Sequence, residues 1–428
     1  MSIRPTRKLT FFEILVLQFY WISISFMWNS LHVIILPALL LWLVPETLKN
    51  TYLGLLTFAG LILAMIIQPL SGAISDRWVS PWGRRRPLIL IGTVFDFFFL
   101  IFLGWAGGLA WLAFGYIGLQ ISSNIAHGPM QGLLPDQVPE EQLGRASGFK
   151  NFMDITGLII SSLLIGRLYN PSTRHPIGAI CLIAGLLAVC ASVTLLGVKE
   201  QPSTGQELSI QRVSLYNSFR IDWKKHRAFG WLILSRFFYL ISIYGIQVFG
   251  QYFVRDVLQV ENPVKLTGDF LALITIVLVV FTVFGGWLGD RLGHKTISLT
   301  ASLIGGTGCF LLIWARTPQA LLIFGTIMGI GLGLFLTANW ALANELAPIQ
   351  EAGKFMGLTN LATAGAGAIG RLEGPFIDIL NNARPGAWWG YSALFLFGTI
   401  CILISSIILI KIPTPELFRE YPNKRFHQ

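Results

Sequence analysis

Charge is scarce in this sequence, and acidic charge is scarcest. Only 12% of the 428 residues are charged, with 21 acidic against 31 basic side chains and a formal net charge of +10. So little charge is far from what a water-soluble chain of this length carries. Cysteine is nearly absent: Cys181, Cys190, Cys309 and Cys401 each lie inside an apolar stretch. They lack metal-ligand spacing and make no case for a disulfide, so they read as small packing residues. No Walker-type phosphate loop, no His-Glu-x-x-His pair and no nucleophile–base pattern is present, which argues against enzyme chemistry. No cofactor and no metal are expected. The basic start at Arg4, Arg7 and Lys8 is not followed by a small-residue cleavage site, so the first apolar stretch is read as a membrane helix, not a removable signal.

What remains is apolar. Hydrophobic residues make up 54% of the chain, and mean hydropathy is +0.65. Runs of roughly 20 residues, each long enough to cross the hydrocarbon layer as a helix, recur throughout. Twelve spans are read, near 11–43, 52–75, 87–107, 111–134, 143–168, 177–197, 229–254, 267–288, 295–315, 319–345, 353–380 and 388–411. The fold class is an all-α membrane protein of two pseudo-symmetric six-helix halves. Residues 1–197 form the first half and 198–228 a cytoplasmic linker, whose part from Leu208 to Phe229 reads as a membrane-surface helix. Residues 229–411 form the second half and 412–428 a cytoplasmic tail. Most Lys and Arg fall in loops on one side, which by the positive-inside rule puts both termini in the cytoplasm. The same distribution argues against nucleic acid as the partner of the basic charge.

One loop organises the reading. Gln68 to Pro87 sets Gly72, Asp76, Arg77 and Gly83 to Arg86 between two apolar runs, and a weaker copy carries Asp290, Arg291, Gly293 and Lys295. The two aspartates are 214 positions apart, half the chain. Pro139, Gly144, Arg145, Gly148 and Asn151 recur 209 positions later as Pro348, Gly353, Lys354, Gly357 and Asn360, and Asp136 recurs as Glu345. A third echo, Ile165 to Leu168 against Ile369 to Leu372, needs a five-residue gap. Two tandem copies of one unit around a midplane site are the plan of many secondary transporters.

These residues resemble the major facilitator superfamily, whose loop between helices 2 and 3 carries a Gly-x-x-x-Asp-Arg-x-Gly-Arg-Arg pattern. Gln68-Pro69, Gly72, Asp76-Arg77, Gly83 to Pro87 and Ile89, with Asn124, Gly128-Pro129, Leu133-Leu134 and Asp136, resemble more narrowly the sucrose/proton symporter branch, near the glycoside–pentoside–hexuronide transporters. The resemblance implies that helices 1, 4, 7 and 10 surround the substrate. It also leads one to expect acids in helices 1 and 4; here helix 1 has none past Glu13, and helix 4 carries Gln120 and Gln131 at positions where the plant symporters have an acid and an Arg.

Those four spans carry polar stripes at helical spacing. Span 4 offers Tyr116, Gln120, Asn124, His127 and Gln131; span 1 offers Trp21, Ser25, Trp28, Asn29 and His32. Span 7 offers Arg236, Tyr239, Tyr244, Gln247 and Gln251, and span 10 offers Thr337, Asn339, Trp340 and Asn344. Amides and hydroxyls suit a polyhydroxylated solute, and indole faces cover the C–H side of a sugar ring. The alternative is hydrogen bonding between helices, which uses the same residue types. Ionisable groups inside the membrane are functional candidates by default. Asp154 is read as an unpaired, protonatable coupling carboxylate, with Asp96 and His127 as further candidates. Glu373, Asp378 and Arg371 are read as an interfacial ion-pair group. Asp76, Arg77, Arg84, Arg85, Asp136, Asp290 and Arg291, with Gly72 and Gly83, are read as gating residues of the inner loops. A carboxylate such as Asp76 suits the exposed N-terminus of a helix in the other half.

The expected function is secondary active transport of a small polar solute, a sugar or glycoside, coupled to H+, by a monomer in a bacterial-type inner or plasma membrane. Two alternatives stay open. One is efflux of amphipathic compounds, for which 31 Phe and 14 Trp supply apolar lining. The other is a transporter-shaped sensor or assembly factor.

Overall fold

A computed structural model describes residues 7–105, 107–170, 175–202, 223, 226–348 and 351–413. The proposed surface helix at 208–229 lies almost wholly outside these, as does the tail past 413. Among the described residues regular structure is helical throughout. The helices are α1 (Phe11–Leu43), α2 (Lys49–Asp76), α3 (Arg86–Gly104), α4 (Leu109–Gln137), α5 (Leu143–Leu168), α6 (Ile177–Gly197), α7 (Arg227–Asp256), α8 (Pro263–Leu292), α9 (His294–Leu311), α10 (Pro318–Leu346), α11 (Ala352–Arg371), α12 (Gly374–Ala383) and α13 (Trp389–Ile410). Ten of these segments are long and apolar enough to cross a membrane. The others are α4, whose hydropathy is lowered by its polar stripe, and α11 with α12.

Local chemistry explains the helix ends. Thr10 and Glu13 form a reciprocal capping box at the start of α1. Thr317 caps α10 through the amide of Ala320, with Pro318 in the first turn where its missing N–H costs nothing. The span expected at 353–380 is two helices. α11 stops at Arg371, and Pro375 sits in the first turn of α12, where a fixed φ and absent donor favour a new start. α1 contains a π-helical turn at Ser30–Ile35, a wide turn of the kind found most often at functional sites.

Two compact units form. The first holds the described residues of 1–210 with Val248–Ala272 and Gly374–Asp378; the second holds those of 211–247, Leu273–Glu373 and 379–428. The end of α7, the start of α8 and the start of α12 cluster with the first six helices. Within the first unit α3 packs most extensively on α4, and within the second α9 packs on α10, the equivalent pair in the repeat. Both crossings depend on glycine. A Cβ on Gly92 would lie 2.6 Å from the Ser122 carbonyl, and one on Gly331 would run into the backbone of Gly305. Close backbone approach through small residues is how helices associate in lipid. Cys190, Cys309 and Cys401 are buried as expected, but Cys181 is exposed.

Candidate functional site

In the first unit the loop between α2 and α3 is built around Arg85, which is 6% exposed. Its guanidinium reaches Asp76 Oδ1 at 2.5 Å and Asp136 Oδ2 at 2.8 Å, and donates to Ser75 Oγ at 2.5 Å. Arg84 donates twice to the same Asp136 carboxylate, at 2.7 and 3.1 Å. Gly83 has φ +95°, a left-handed value that turns the chain so that the next amides point one way. The backbone N–H groups of Arg84, Arg85 and Arg86 all donate to the Glu200 carboxylate, at 2.9 to 3.2 Å. An acid at the start of α3 is favoured by the positive end of the helix dipole. Asp76 was expected to serve a helix terminus; Glu200 fills that role for α3, and Asp76 pairs with Arg85. Arg77 is exposed.

The second unit repeats the pattern with weaker groups. Gly293 has φ +85°. His294 Nδ1 lies 2.6 Å from Glu345 Oε1, and its Nε2 lies 3.6 Å from Asp290 Oδ1. Arg291 stacks on the Trp287 ring at 4.1 Å.

The span 1 and span 4 stripes meet in the first unit. Trp28 stacks on His32 with ring centroids 5.0 Å apart. His32 Nε2 is 2.8 Å from Tyr116 Oη, and Gln120 Nε2 donates to the same hydroxyl at 2.7 Å. Asn124 Nδ2 donates to Gln120 O at 2.7 Å and to Gln120 Oε1 at 3.3 Å. Below this chain Trp21 packs edge-on to His127 at 4.9 Å, and Gln131 Nε2 lies 3.4 Å from His127 Nε2. His32 of this group lies in the π turn itself. With its amide oriented to donate, Gln251 of α7 reaches Val33 O at 2.5 Å and Ile34 O at 3.1 Å. Asn29 is used differently: its amide donates to Ser161 Oγ, Ser162 Oγ and Leu158 O of α5, a helix-joining role.

The ionisable candidates separate. Asp154 is not unpaired as the sequence suggested. Lys150 Nζ donates to its Oδ2 at 2.7 Å and lies 4.2 Å from the Trp21 ring centroid. Asp96 is fully buried between α3 and α4, with Oδ1 accepting from Ser122 Oγ at 2.5 Å and Oδ2 unpartnered. Glu373 and Asp378, expected with Arg371 as one interfacial ion-pair group, have different surroundings. Asp378 instead caps the start of α2, accepting from Asn50 Nδ2 at 2.8 Å and from the Thr51 amide at 2.7 Å. Glu373 has both carboxyl oxygens buried without a hydrogen bond. Lys49 forms a buried ion pair with Asp256 at 2.6 Å, and Arg255 bonds Glu46 at 2.7 Å.

In the second unit Asn339 Oδ1 accepts from Arg236 Nη1 at 3.0 Å, Thr363 Oγ1 accepts from Arg236 Nε at 3.0 Å, and the Trp340 ring lies 5.5 Å from the guanidinium. Tyr239 does not join them: it is fully buried and stacks on Phe335 at 3.7 Å. Gln247 is half-buried, and Asn344 bonds back to Trp340 O. Lys150, Glu200 and Thr363 are the contributors that sequence reasoning missed. Only Lys150 carried a signal, its i,i+4 spacing from Asp154.

The sequence pattern of the Major Facilitator Superfamily matches residues 9–371 and, again, 265–427. The chain is 22% identical over 366 residues to the multi-drug resistance efflux pump PmrA of Streptococcus pneumoniae, covering 83% of this chain and 84% of that protein. It is 26% identical over 378 residues to the glucuronide carrier protein homolog of Escherichia coli, covering 81% and 74%. The fold superposes on the crystal structure of a D-xylose-proton symporter with a TM-score of 0.73 at 16% identity, covering 95% and 99%. With its apolar helices, its repeated loops and this family match, the chain belongs to the Major Facilitator Superfamily, as a multi-pass integral membrane transporter and not an enzyme.

Proposed function

We propose that this transporter moves a small polar solute, a sugar or glycoside, by alternating access with proton coupling. The observation that carries the reading is the chain Trp28, His32, Tyr116, Gln120 and Asn124, where two aromatic rings and two amides share one polar run on α1 and α4. Such a run offers donors, acceptors and a flat apolar face together, the combination a sugar ring needs. His127 and Gln131 extend it on α4, and Asn339, Trp340, Asn344 and Gln247 supply the second unit's share of the same chemistry. The inner loops, with Asp76, Arg84, Arg85, Asp136, Asp290 and Arg291, act as gates, and both termini face the cytoplasm.

Asp154 remains our coupling candidate. Its pairing with Lys150 adds a requirement, since the ion pair must open when the carboxyl takes a proton. Asp96 and His127 are the alternatives. Efflux of amphipathic compounds is the competing reading, favoured by the likeness to PmrA. Counterflow in proteoliposomes with labelled sugars, drugs and amino acids separates them. Exchange of a sugar or glycoside, accelerated by an inward proton gradient, is the expected result. Exchange of drugs alone would replace the sugar reading with the efflux one, and no exchange of any solute would remove both.

A further inference from the structure

Arg236 is the feature that a neutral sugar does not explain. It is 6% exposed, and among the described residues it forms no ion pair. Its two protein acceptors, Asn339 Oδ1 and Thr363 Oγ1, are uncharged. A guanidinium withdrawn from water without a countercharge is costly, and membrane proteins keep such groups for a purpose. Two donors are left over. Among the described residues Arg236 Nη2 donates to no protein atom yet is not sealed off, and Asn339 Nδ2 is buried without an acceptor on a residue that is 0% exposed. The cluster therefore has positive charge and two spare donors. Beside it the Trp340 indole, 38% exposed, offers an apolar face.

We propose that Arg236 and Asn339 bind a carboxylate carried by the transported solute, with Trp340 covering the adjoining apolar part. The planar guanidinium fork matches a carboxylate, and the bond is charge-assisted. A bound carboxylate supplies the missing countercharge and gives the Asn339 amide the acceptor it lacks. The inference rests on the chain being a transporter and sharpens the class of solute; it does not require that solute to be a sugar.

The test uses the full chain in vesicles of zwitterionic lipid, which supply no anionic headgroup, with two matched solute pairs: methyl glucuronide against methyl glucoside, and phenylacetate against phenylacetamide. Binding is read from the change in tryptophan emission and transport from counterflow. In at least one pair the acid should be preferred by about tenfold, the scale of one charge-assisted bond. Arg236→Gln should bring the ratio close to one. Asn339→Asp places a carboxylate beside Arg236, so it should abolish the preference while raising the melting temperature, which guards against mistaking misfolding for lost recognition. If only the phenyl pair is taken up and its acid is preferred, the sugar reading fails and the carboxylate site stands. If neither acid is preferred, or if folded Arg236→Gln or Asn339→Asp keeps the preference, the site is overturned.

Discussion

His294 and Glu345 of the second repeat occupy the positions that Arg84 and Asp136 occupy in the first, and they form the same bond. The distances are 2.6 Å and 2.7 Å. The repeat thus survives as an interaction after both partners have changed chemically. The two versions differ in burial: Asp136 is 19% exposed and serves two arginines, whereas Glu345 is 40% exposed and serves one histidine.

That difference sets the first prediction. Asp136→Asn leaves the buried Arg85 without its second carboxylate and should cost about 3 kcal/mol, the usual penalty for removing one member of a buried pair. Glu345→Gln should cost less than about 1 kcal/mol, because its pair is partly solvated. Melting curves of the two variants in one detergent should show a clear drop for the first only. Equal drops would mean that the loops are not graded by burial.

Gly83 and Gly293 should both resist alanine, for different reasons. Each has a positive φ, and holding a side chain there costs about 1–3 kcal/mol. At Gly83 the new methyl would also meet the Glu200 carboxylate, while at Gly293 it meets nothing. Gly83→Ala should therefore lose more stability and more transport than Gly293→Ala. A reversed order in thermal stability would contradict the capping role given to Glu200.

Lys49 and Asp256 test what a buried pair is worth on the opposite side of the protein. Lys49→Met removes the nearer of the two cations beside the buried Asp256, with Arg255 remaining at 3.3 Å, and should destabilise by about 3 kcal/mol. Adding Asp256→Leu should recover most of that loss, since an apolar pair of similar volume is often neutral. A double variant as unstable as the single one would show that the remaining contacts of Lys49 matter more than its charge.

Asp154→Asn should keep solute exchange and lose accumulation driven by a pH gradient. Lys150→Met is the companion variant, and it should alter the pH dependence of accumulation because the carboxylate then loses its counter-ion. If Asp154→Asn still concentrates solute like the unaltered protein, coupling resides elsewhere and His127 is tested next.

Periodicity and spacing made the membrane class, the repeated loop and the span 1 and span 4 stripes legible in the sequence. Each of those signals is local or recurs at a fixed offset. Glu200 illustrates what was hidden: it lies 116 positions from Arg84, and nothing in its neighbours marks it as the cap of α3. Asp378 at the start of α2 is the same case across 327 positions. Thr363 joins Arg236 only because α11 packs against α7. Tyr239 was misread for another reason, since a stripe at helical spacing looks the same whether it faces a ligand or a neighbouring ring. Two features were legible and passed over: the Lys150 and Asp154 spacing, and Gly374-Pro375 as the start of a new helix.

The wide turn at Ser30–Ile35 gives α1 a registry of its own. A π turn accommodates one residue more than the regular spiral, so the two ends of α1 are set in phase by an extra residue that no side-chain chemistry reveals. Deleting one residue of that turn would let the helix close into regular geometry with its two ends still in phase, whereas a deletion elsewhere in α1 would rotate the ends against each other by roughly 100°. Closing the turn would re-aim the carbonyls of Val33 and Ile34, which lie within it and face the Gln251 amide. The turn is thus the place where α1 can lose a residue and keep Trp21 and Ser25 in phase with the residues beyond it, at the cost of the contact its carbonyls make.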